Sequence, residues 1–472
     1  MKRTMTYGVI VGNRGFFPAV LCKEGRERLL AVLAKRGERA IILDTSATRA
    51  HGAIENLAEA RACAAQLRAH REELDGVIVT LPNFGDERAI ANALREADLA
   101  LPVLVHAYAD EVGKMSSADR RDSFCGKISV CNNLHQYGIK FTLTRRHTCA
   151  PESEEFAADL DMFGAVCRVV RRLRRVRVGA IGARPGPFNT VRYSEKLLER
   201  AGVSVVTLDL SEICGRSERL SDRDRRVRAK LREVREYVST RGVPRDAVLK
   251  MAKLGVVVEE FMKEEDLAGT AIQCWTALEE YFGVVPCTVM SLMSEKLLPS
   301  ACEVDVGGLV SMLAVQEACE GPAALVDWNN NYGNDANACV VFHCSNMPKS
   351  MLADVRMDHQ AIIAGTVGKA KSYGTVVGQM VAGPITFCRV STDDGKGRVV
   401  SYVGHGEVTD ERVTTFGGYG VMRIRRLQSL LQFICQRGFE HHVAVGRGKV
   451  ASALAEAFGN YLGWDVYQHE AE

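Results

Sequence analysis

Tyr7-Gly-Val-Ile-Val-Gly12 is the stretch that decides the fold class. It is a short, uncharged, apolar run that exits through a glycine, as expected of a strand covered on both faces. The same unit recurs in Ala40-Ile-Ile-Leu43, Gly76-Val-Ile-Val-Thr80 and Pro102-Val-Leu-Val-His106. Amphipathic segments over 26–33, 58–74 and 89–97 alternate with these runs and read as helices. Strand and helix in alternation predict a doubly wound parallel sheet, and this first α/β domain is expected to span 1–172.

A second βαβ start follows at Arg177-Val-Gly-Ala-Ile-Gly-Ala-Arg184, with a Pro185-Gly-Pro-Phe-Asn loop and a strand at Val203-Ser-Val-Val-Thr-Leu208. Helices are expected near 224–238 and 246–263, and late strands at Ala323-Ala-Leu-Val-Asp327 and Ala338-Cys-Val-Val-Phe-His343. These define a second Rossmann-like domain over 173–345. Composition then shifts to Gly, Val and Thr. Pro384-Ile-Thr-Phe-Cys-Arg-Val390 and Gly397-Arg-Val-Val-Ser-Tyr-Val403 flank the turn signal Asp393-Asp-Gly-Lys-Gly. A small antiparallel β-barrel-like domain is therefore expected over 346–422. The tail, 423–472, is expected to return to the second α/β domain as helix, strand and helix.

The chain has 472 residues, room for about two to four domains. Its 47% hydrophobic and 25% charged residues are an ordinary globular mixture. No run near the length of a membrane span is continuously apolar. The N-terminus runs directly into a strand without the pattern of a secretory signal. A cytoplasmic protein is expected. Lys and Arg total 61 against 58 Asp and Glu, a formal charge of +3, too balanced to imply nucleic acid or membrane partners. The basic runs at 171–177 and 223–235 read as solvated helix faces. Fifteen cysteines, an odd number in apolar contexts such as Cys167, Cys274, Cys339 and Cys435, predict reduced, buried thiols. Neither Val11-Gly-Asn-Arg-Gly15 nor Gly179 to Gly186 is a G-x-G-x-x-G loop, so no dinucleotide is expected.

Chemistry is concentrated late in the chain. Glu303 lies in Ala-Cys-Glu-Val-Asp-Val-Gly-Gly, Asp327 in Leu-Val-Asp-Trp-Asn and His343 in Val-Val-Phe-His-Cys, and His441-His442 come near the end. Each closes or punctuates an apolar run, where a strand would deliver it to the mouth of a sheet. Carboxylates and neutral imidazoles suit a hard or borderline divalent cation. Asp305 serves equally well as the cap of the helix that follows it. The Asn run after Trp328 is costly to bury unless it bonds a polar ligand, or else is a surface turn. Extended His441 and His442 point to opposite faces, so one of the two is expected to reach the site.

The chain resembles the L-fucose isomerase and L-arabinose isomerase superfamily, and within it the shorter fucose-isomerase-like branch. The resemblance rests on Ser123-Phe-Cys-Gly-Lys, Ala271-Ile-Gln-Cys-Trp275, Glu303-Val-Asp-Val-Gly-Gly, Leu325-Val-Asp-Trp-Asn, Phe342-His-Cys-Ser-Asn and Glu440-His-His-Val-Ala-Val. It implies that Glu303 and Asp327 are metal-binding carboxylates, that His343 is the arabinose-type ligand, and that the C-terminal pair supplies the last ligand. His442 is the first choice there and His441 the reserve. It also implies Mn²⁺, with Mg²⁺ or another divalent cation as substitute, and a homo-oligomer, either trimer or hexamer, in which a neighbour's N-terminal domain completes the pocket.

The expected reaction is metal-dependent aldose–ketose isomerisation of a pentose, 6-deoxyhexose or related hexose through a cis-enediol. Glu303 and Asp327 are the expected catalytic carboxylates, one of them carrying the proton between C1 and C2. Trp275, Asn329 and Arg14 are expected to contact the sugar, Arg14 from a neighbour. One alternative is an isomerase of a sulfonated or phosphorylated sugar, for which Arg184, Lys349 and Arg389 offer cations. Another is a non-catalytic sugar-binding protein on the same scaffold.

Overall fold

Alternate residues of the first strands feed two separate cores. Ile10, Val77 and Val79 pack on one face, while Tyr7, Val9, Val11, Ile78 and Leu104 pack on the other. That two-sided burial is what an uninterrupted apolar strand requires. The computed structural model describes residues 4–470. It falls into two compact units, one up to Arg171 and the other from Arg172 onward. In the first unit the strands run in the order Arg39–Ile42, Thr6–Val11, Gly76–Leu81, Val103–Ala107, Thr142–Leu143, every pair parallel. This is a flavodoxin-like strand order, covered by helices such as Ala19–Lys35, Leu57–Ala69 and Glu87–Ala97.

The second unit contains a four-stranded parallel sheet and a nine-stranded mixed sheet. The parallel sheet has the order Val203–Leu208, Val176–Ile181, Thr270–Ile272, Ser300–Cys302. Within the mixed sheet, six strands close on themselves by antiparallel pairing. Gly418–Arg423 pairs with Ala338–His343, and that strand with Ala323–Asn331. The ring continues through His442–Arg447, Gly383–Asp393 and Arg398–Val408, which returns to Gly418–Arg423. Ala324, Val326, Ile385, Phe387, Tyr402, Val443 and Val445 belong to the core formed there.

The barrel differs from the expected one in where its strands come from. Ala323–Asn331 and Ala338–His343 were expected in a parallel α/β sheet, yet they are antiparallel staves of the barrel. A short β-branched apolar run reads the same in either setting when both its faces are covered. For Ala323–Asn331 the outer face is covered by the helix Val306–Cys319, which is buried on nearly every side. It packs on the strands Ser300–Cys302 and Thr270–Ile272 and on three barrel strands. Its uniform apolarity follows from this central position. A Cβ at Gly307 would meet the Val390 carbonyl at 2.8 Å, so glycine allows the helix start to approach that strand.

Among the described residues, no helix is long and apolar enough to cross a membrane. All fifteen cysteines are free. Cys435, expected inside, is exposed, because it lies on the outer face of the helix Leu427–Arg437.

Candidate active site

Three strand ends and one helix start converge in the second unit. Glu303 sits between the strand Ser300–Cys302 and the helix Val306–Cys319. The backbone there makes a tight reversal, with Glu303 and Val304 both at φ +56°. A β-branched residue is strained in the left-handed region, at a cost of about 1–3 kcal/mol, and such strain gathers at functional positions. Asp327 pairs directly across the sheet with His442, so the two side chains share a face. His343 is the last residue of its strand.

Glu303 is 5% exposed and divides its oxygens between two tasks. Oε1 accepts from the Trp275 indole Nε1 at 3.0 Å and from the Cys274 thiol at 3.4 Å. Among the described residues Oε2 has no hydrogen-bond partner; it is buried, 3.7 Å from His343 Nε2 and 3.8 Å from His442 Nε2. Asp327 Oδ1 is likewise buried without a partner and lies 3.3 Å from His442 Nε2. Two orphaned carboxylate oxygens facing imidazole nitrogens are costly alone, and such donors suit a divalent cation. Ligand atoms around a cation at about 2.0–2.2 Å stand roughly 3–3.6 Å apart. Glu303, His343 and His442 bring ligand atoms within 4.8 Å of one another, and so do Asp327, His441 and His442, so the structure gathers the expected residues as two triads that share His442.

A second row of residues fixes the first. His442 Nδ1 lies 2.8 Å from Asp305 Oδ2, which turns Nε2 toward the carboxylates. Asp305 also caps the helix, accepting from the Gly308 amide at 2.8 Å, as expected of it. Arg389, 1% exposed, donates to both Asp305 oxygens and to Glu440. Glu440 in turn accepts from the Ser391 hydroxyl at 2.7 Å. Burial opposes ionisation of Asp305, but the Arg389 charge and His442 outweigh it and hold its carboxyl far below the usual range. Burial also works against a charged His442, yet Asp305 and the neighbouring carboxylates raise its pKa. Burial raises the Glu303 pKa against the pull of His343 and His442.

The other expected contacts fall in different places. Trp275 is at the site, where it holds Glu303, and its ring meets Phe188 edge-on at 5.7 Å. His441 also lies near Asp327, with Nε2 at 3.9 Å, but is 40% exposed and has no counterpart to the bond from Asp305 to His442. Asn329 is exposed at a bulge between Trp328 and Asn330. Arg14 belongs to the first unit, where it pairs with Glu87, donates to the Gly85 carbonyl and stacks on Phe84. Arg389 is not available as an anion anchor, because Asp305 and Glu440 occupy its donors. Phe188, which touches His441 and His442, was not singled out by the sequence reading. Nothing in its Pro-Gly-Pro-Phe loop marks a site. Arg389 carried a signal: a charge inside Ile-Thr-Phe-Cys-Arg-Val must find a buried partner.

A model of the fucose/sulfoquinovose isomerase N-terminal domain matches residues 8–174, and one of the L-fucose isomerase C-terminal domain matches 341–470. The chain belongs to the fucose isomerase-like family, whose members are aldose–ketose isomerases. It is 24% identical over 409 residues to the sulfoquinovose isomerase of Alkalicoccus urumqiensis, covering 84% of this chain and 86% of that one. The sulfoquinovose isomerase of Priestia aryabhattai is 25% identical over 349 residues, 71% of this chain and 74% of its own.

Proposed function

We propose that this protein isomerises a sulfonated hexose, such as sulfoquinovose, to the corresponding ketose. The observation that carries this reading is the similarity to sulfoquinovose isomerases along 84% of the chain. It favours the modified-sugar alternative over a plain pentose or 6-deoxyhexose. A sulfonate needs a cation near the sugar. Arg184 offers one, half-buried in the loop that carries Phe188 toward His441, with Nη1 donating to the Pro185 and Gly186 carbonyls. Lys349, by contrast, is exposed, with its ammonium over the Tyr237 ring.

Glu303, Asp327, His343 and His442 would hold Mn²⁺ or a similar divalent cation, which polarises the sugar oxygens as a Lewis acid when bound. The chain's own residues do the rest. One carboxylate removes the proton α to the carbonyl and returns it to the neighbouring carbon, so a single base on one face suffices. Trp275 and Cys274 pin one Glu303 oxygen and leave the other directed into the cluster. Phe188 and Trp275 shield the cluster from one side. We further infer a homo-oligomer, supported by the exposure of Phe16, Val112, Phe124 and Ile128. Light scattering on the purified chain tests it.

The decisive experiment incubates the Mn²⁺-loaded chain with sulfoquinovose, glucose, L-fucose and L-arabinose and follows ketose formation. Sulfoquinovose should give the highest kcat/KM, and Arg184→Ala should lower that value by about 10-fold or more while sparing neutral sugars. Preference for a neutral sugar would overturn the substrate assignment. Absence of turnover with any aldose, in a chain that still binds one, would support the non-catalytic alternative.

A further inference from the structure

Four cysteines crowd behind the carboxylate–imidazole cluster and meet it at Glu303 and His343. Cys302 ends the strand Ser300–Cys302, and Cys274 lies just past the strand Thr270–Ile272. Cys287 opens the helix Cys287–Glu295, and Cys344 follows the strand Ala338–His343. The sulfurs of Cys287, Cys302 and Cys344 all lie within 4.8 Å of one another. Cys274 adjoins this triad through Cys302, and its sulfur also lies within 4.8 Å of a Glu303 oxygen. Among the described residues no other three cysteines converge, although Cys22, Cys63, Cys149, Cys167, Cys339 and Cys388 are equally buried. Ordinary core packing therefore leaves this chain's thiols dispersed, and this cluster is different.

Sulfurs around a cation at the usual bond length of about 2.3 Å stand roughly 3.8 Å apart, so the triangle needs a contraction of at most about 1 Å. Thiolates select soft, thiophilic ions, whereas the neighbouring oxygen and nitrogen cluster suits harder ones. Cys344 is only half-buried, which gives an ion a way in, while the other three thiols are 0–2% exposed. We propose that Cys287, Cys302 and Cys344, with Cys274 as the fourth corner, bind a thiophilic cation such as Zn²⁺ or Cd²⁺, and that filling this site suppresses the isomerase. Each participating thiol gives its proton to water as its sulfur bonds the ion.

The two sites are joined by two contacts. Cys344 Sγ lies 3.4 Å from His343 Nδ1, and Cys274 Sγ lies 3.4 Å from Glu303 Oε1. Drawing both sulfurs toward one cation removes an orienting contact from an imidazole and from a carboxylate of the neighbouring cluster. Loss of such orienting partners typically weakens a metal site by about 10–100-fold. The effect on turnover rests on the isomerase reading above, whereas binding at the thiols does not.

The test adds Cd²⁺ to the reduced, Mn²⁺-loaded full chain. It follows thiolate-to-cadmium absorption, the titre of free thiols, Mn²⁺ release and sugar turnover. One equivalent should produce the thiolate band, protect about three to four thiols, and reduce turnover by about 10-fold with Mn²⁺ still bound. Cys287→Ala should retain basal turnover, weaken the band, and require about 100-fold more Cd²⁺ for inhibition. Cys435→Ala, an exposed and remote change, should behave as the parent. Should Cys287→Ala fail to fold, the band and thiol titre of the parent decide alone. Absence of the band at one equivalent, or release of Mn²⁺ with an unchanged thiol titre, would overturn the site. A full band with full turnover would overturn the coupling. A chain that isomerises no sugar yet shows the band would keep this site and sink only the functional reading.

Discussion

The two units treat polar groups at their strand ends in opposite ways. In the first, Asn83 donates to Asn13 Oδ1 at 2.7 Å and accepts from the Gly85 and Arg14 amides. His106 lies between the Thr80 hydroxyl at 2.9 Å and the Cys149 carbonyl at 3.0 Å. Those groups satisfy one another. In the second, Glu303 Oε2 and Asp327 Oδ1 are buried with no partner, although the residues behind them are fully bonded. Burying a polar atom without compensation costs about 1–3 kcal/mol or more, so two such carboxylate oxygens facing the same imidazole point to a ligand that completes them. A satisfied polar core and a candidate site thus differ in which atoms are left over, not in how many polar residues they contain.

Replacing the leftover atoms should have the largest effect. Glu303→Gln and Asp327→Asn keep shape but remove the charge and basicity, and each should lower turnover by at least about 10²-fold. Metal content measured on the same samples separates lost binding from lost proton transfer. A variant with near-normal turnover and bound metal would remove that residue from the mechanism and blur the contrast between the units.

Next comes the support behind them. Arg389→Met leaves Asp305 and Glu440 as uncompensated buried carboxylates, and should destabilise the chain by about 3–5 kcal/mol in denaturant unfolding. His442 loses its anchored partner at the same time. Residual folded enzyme should therefore bind metal about 10–100-fold more weakly. Adding Glu440→Gln should recover part of the stability. If the single variant is as stable and active as the parent, the chain of contacts from Glu440 to His442 is not what fixes the imidazole.

Much of this arrangement was legible in the sequence, and the illegible part has a physical cause. The apolar run closing on His343 marked a strand end, because local burial patterns survive in one dimension. Asp327, expected at a strand end, instead lies in the middle of Ala323–Asn331, and His442 opens its strand. The hairpin around Asp393 was equally plain, since strand Gly383–Asp393 pairs with Arg398–Val408 in full register. Strand direction and partner were not legible. Those depend on which element covers the outer face, here the helix Val306–Cys319, and pairing over long separations leaves no local trace. The roles of Arg389 and Phe188 were hidden for the same reason. Arg389 announces only that a buried partner exists, and Phe188 announces nothing until the loop is folded against His441.

The satisfied network of the first unit should respond through stability alone. Asn83→Ala leaves the Gly85 and Arg14 amides and the Asn13 carbonyl oxygen short of partners, at about 1–3 kcal/mol. Metal content and kcat should not move. A drop in turnover without loss of stability would show that this network serves catalysis after all, and the comparison would fail on that side.

Glu279 tests the comparison from within the second unit, with the smallest effect. Its side chain is fully buried and both oxygens lack partners, yet it is not among the residues that converge on the cation cluster. Burial raises its pKa from 4.5 to about 8, with Cys344 and Glu280 adding to the rise. Between those values the folded chain holds a proton that the unfolded chain has lost. Stability contributed by the neutral acid is therefore complete below pH 4.5 and declines as pH rises to about 8, then levels off. Glu279→Gln should abolish that decline, visible as a thermal midpoint about 1–3 °C less sensitive to pH across this window, with turnover unchanged. A pH dependence over this window that the substitution leaves unchanged would show that Glu279 is not held there as a buried neutral acid. An orphaned buried oxygen would then be, in this fold, a poor guide to where a ligand binds.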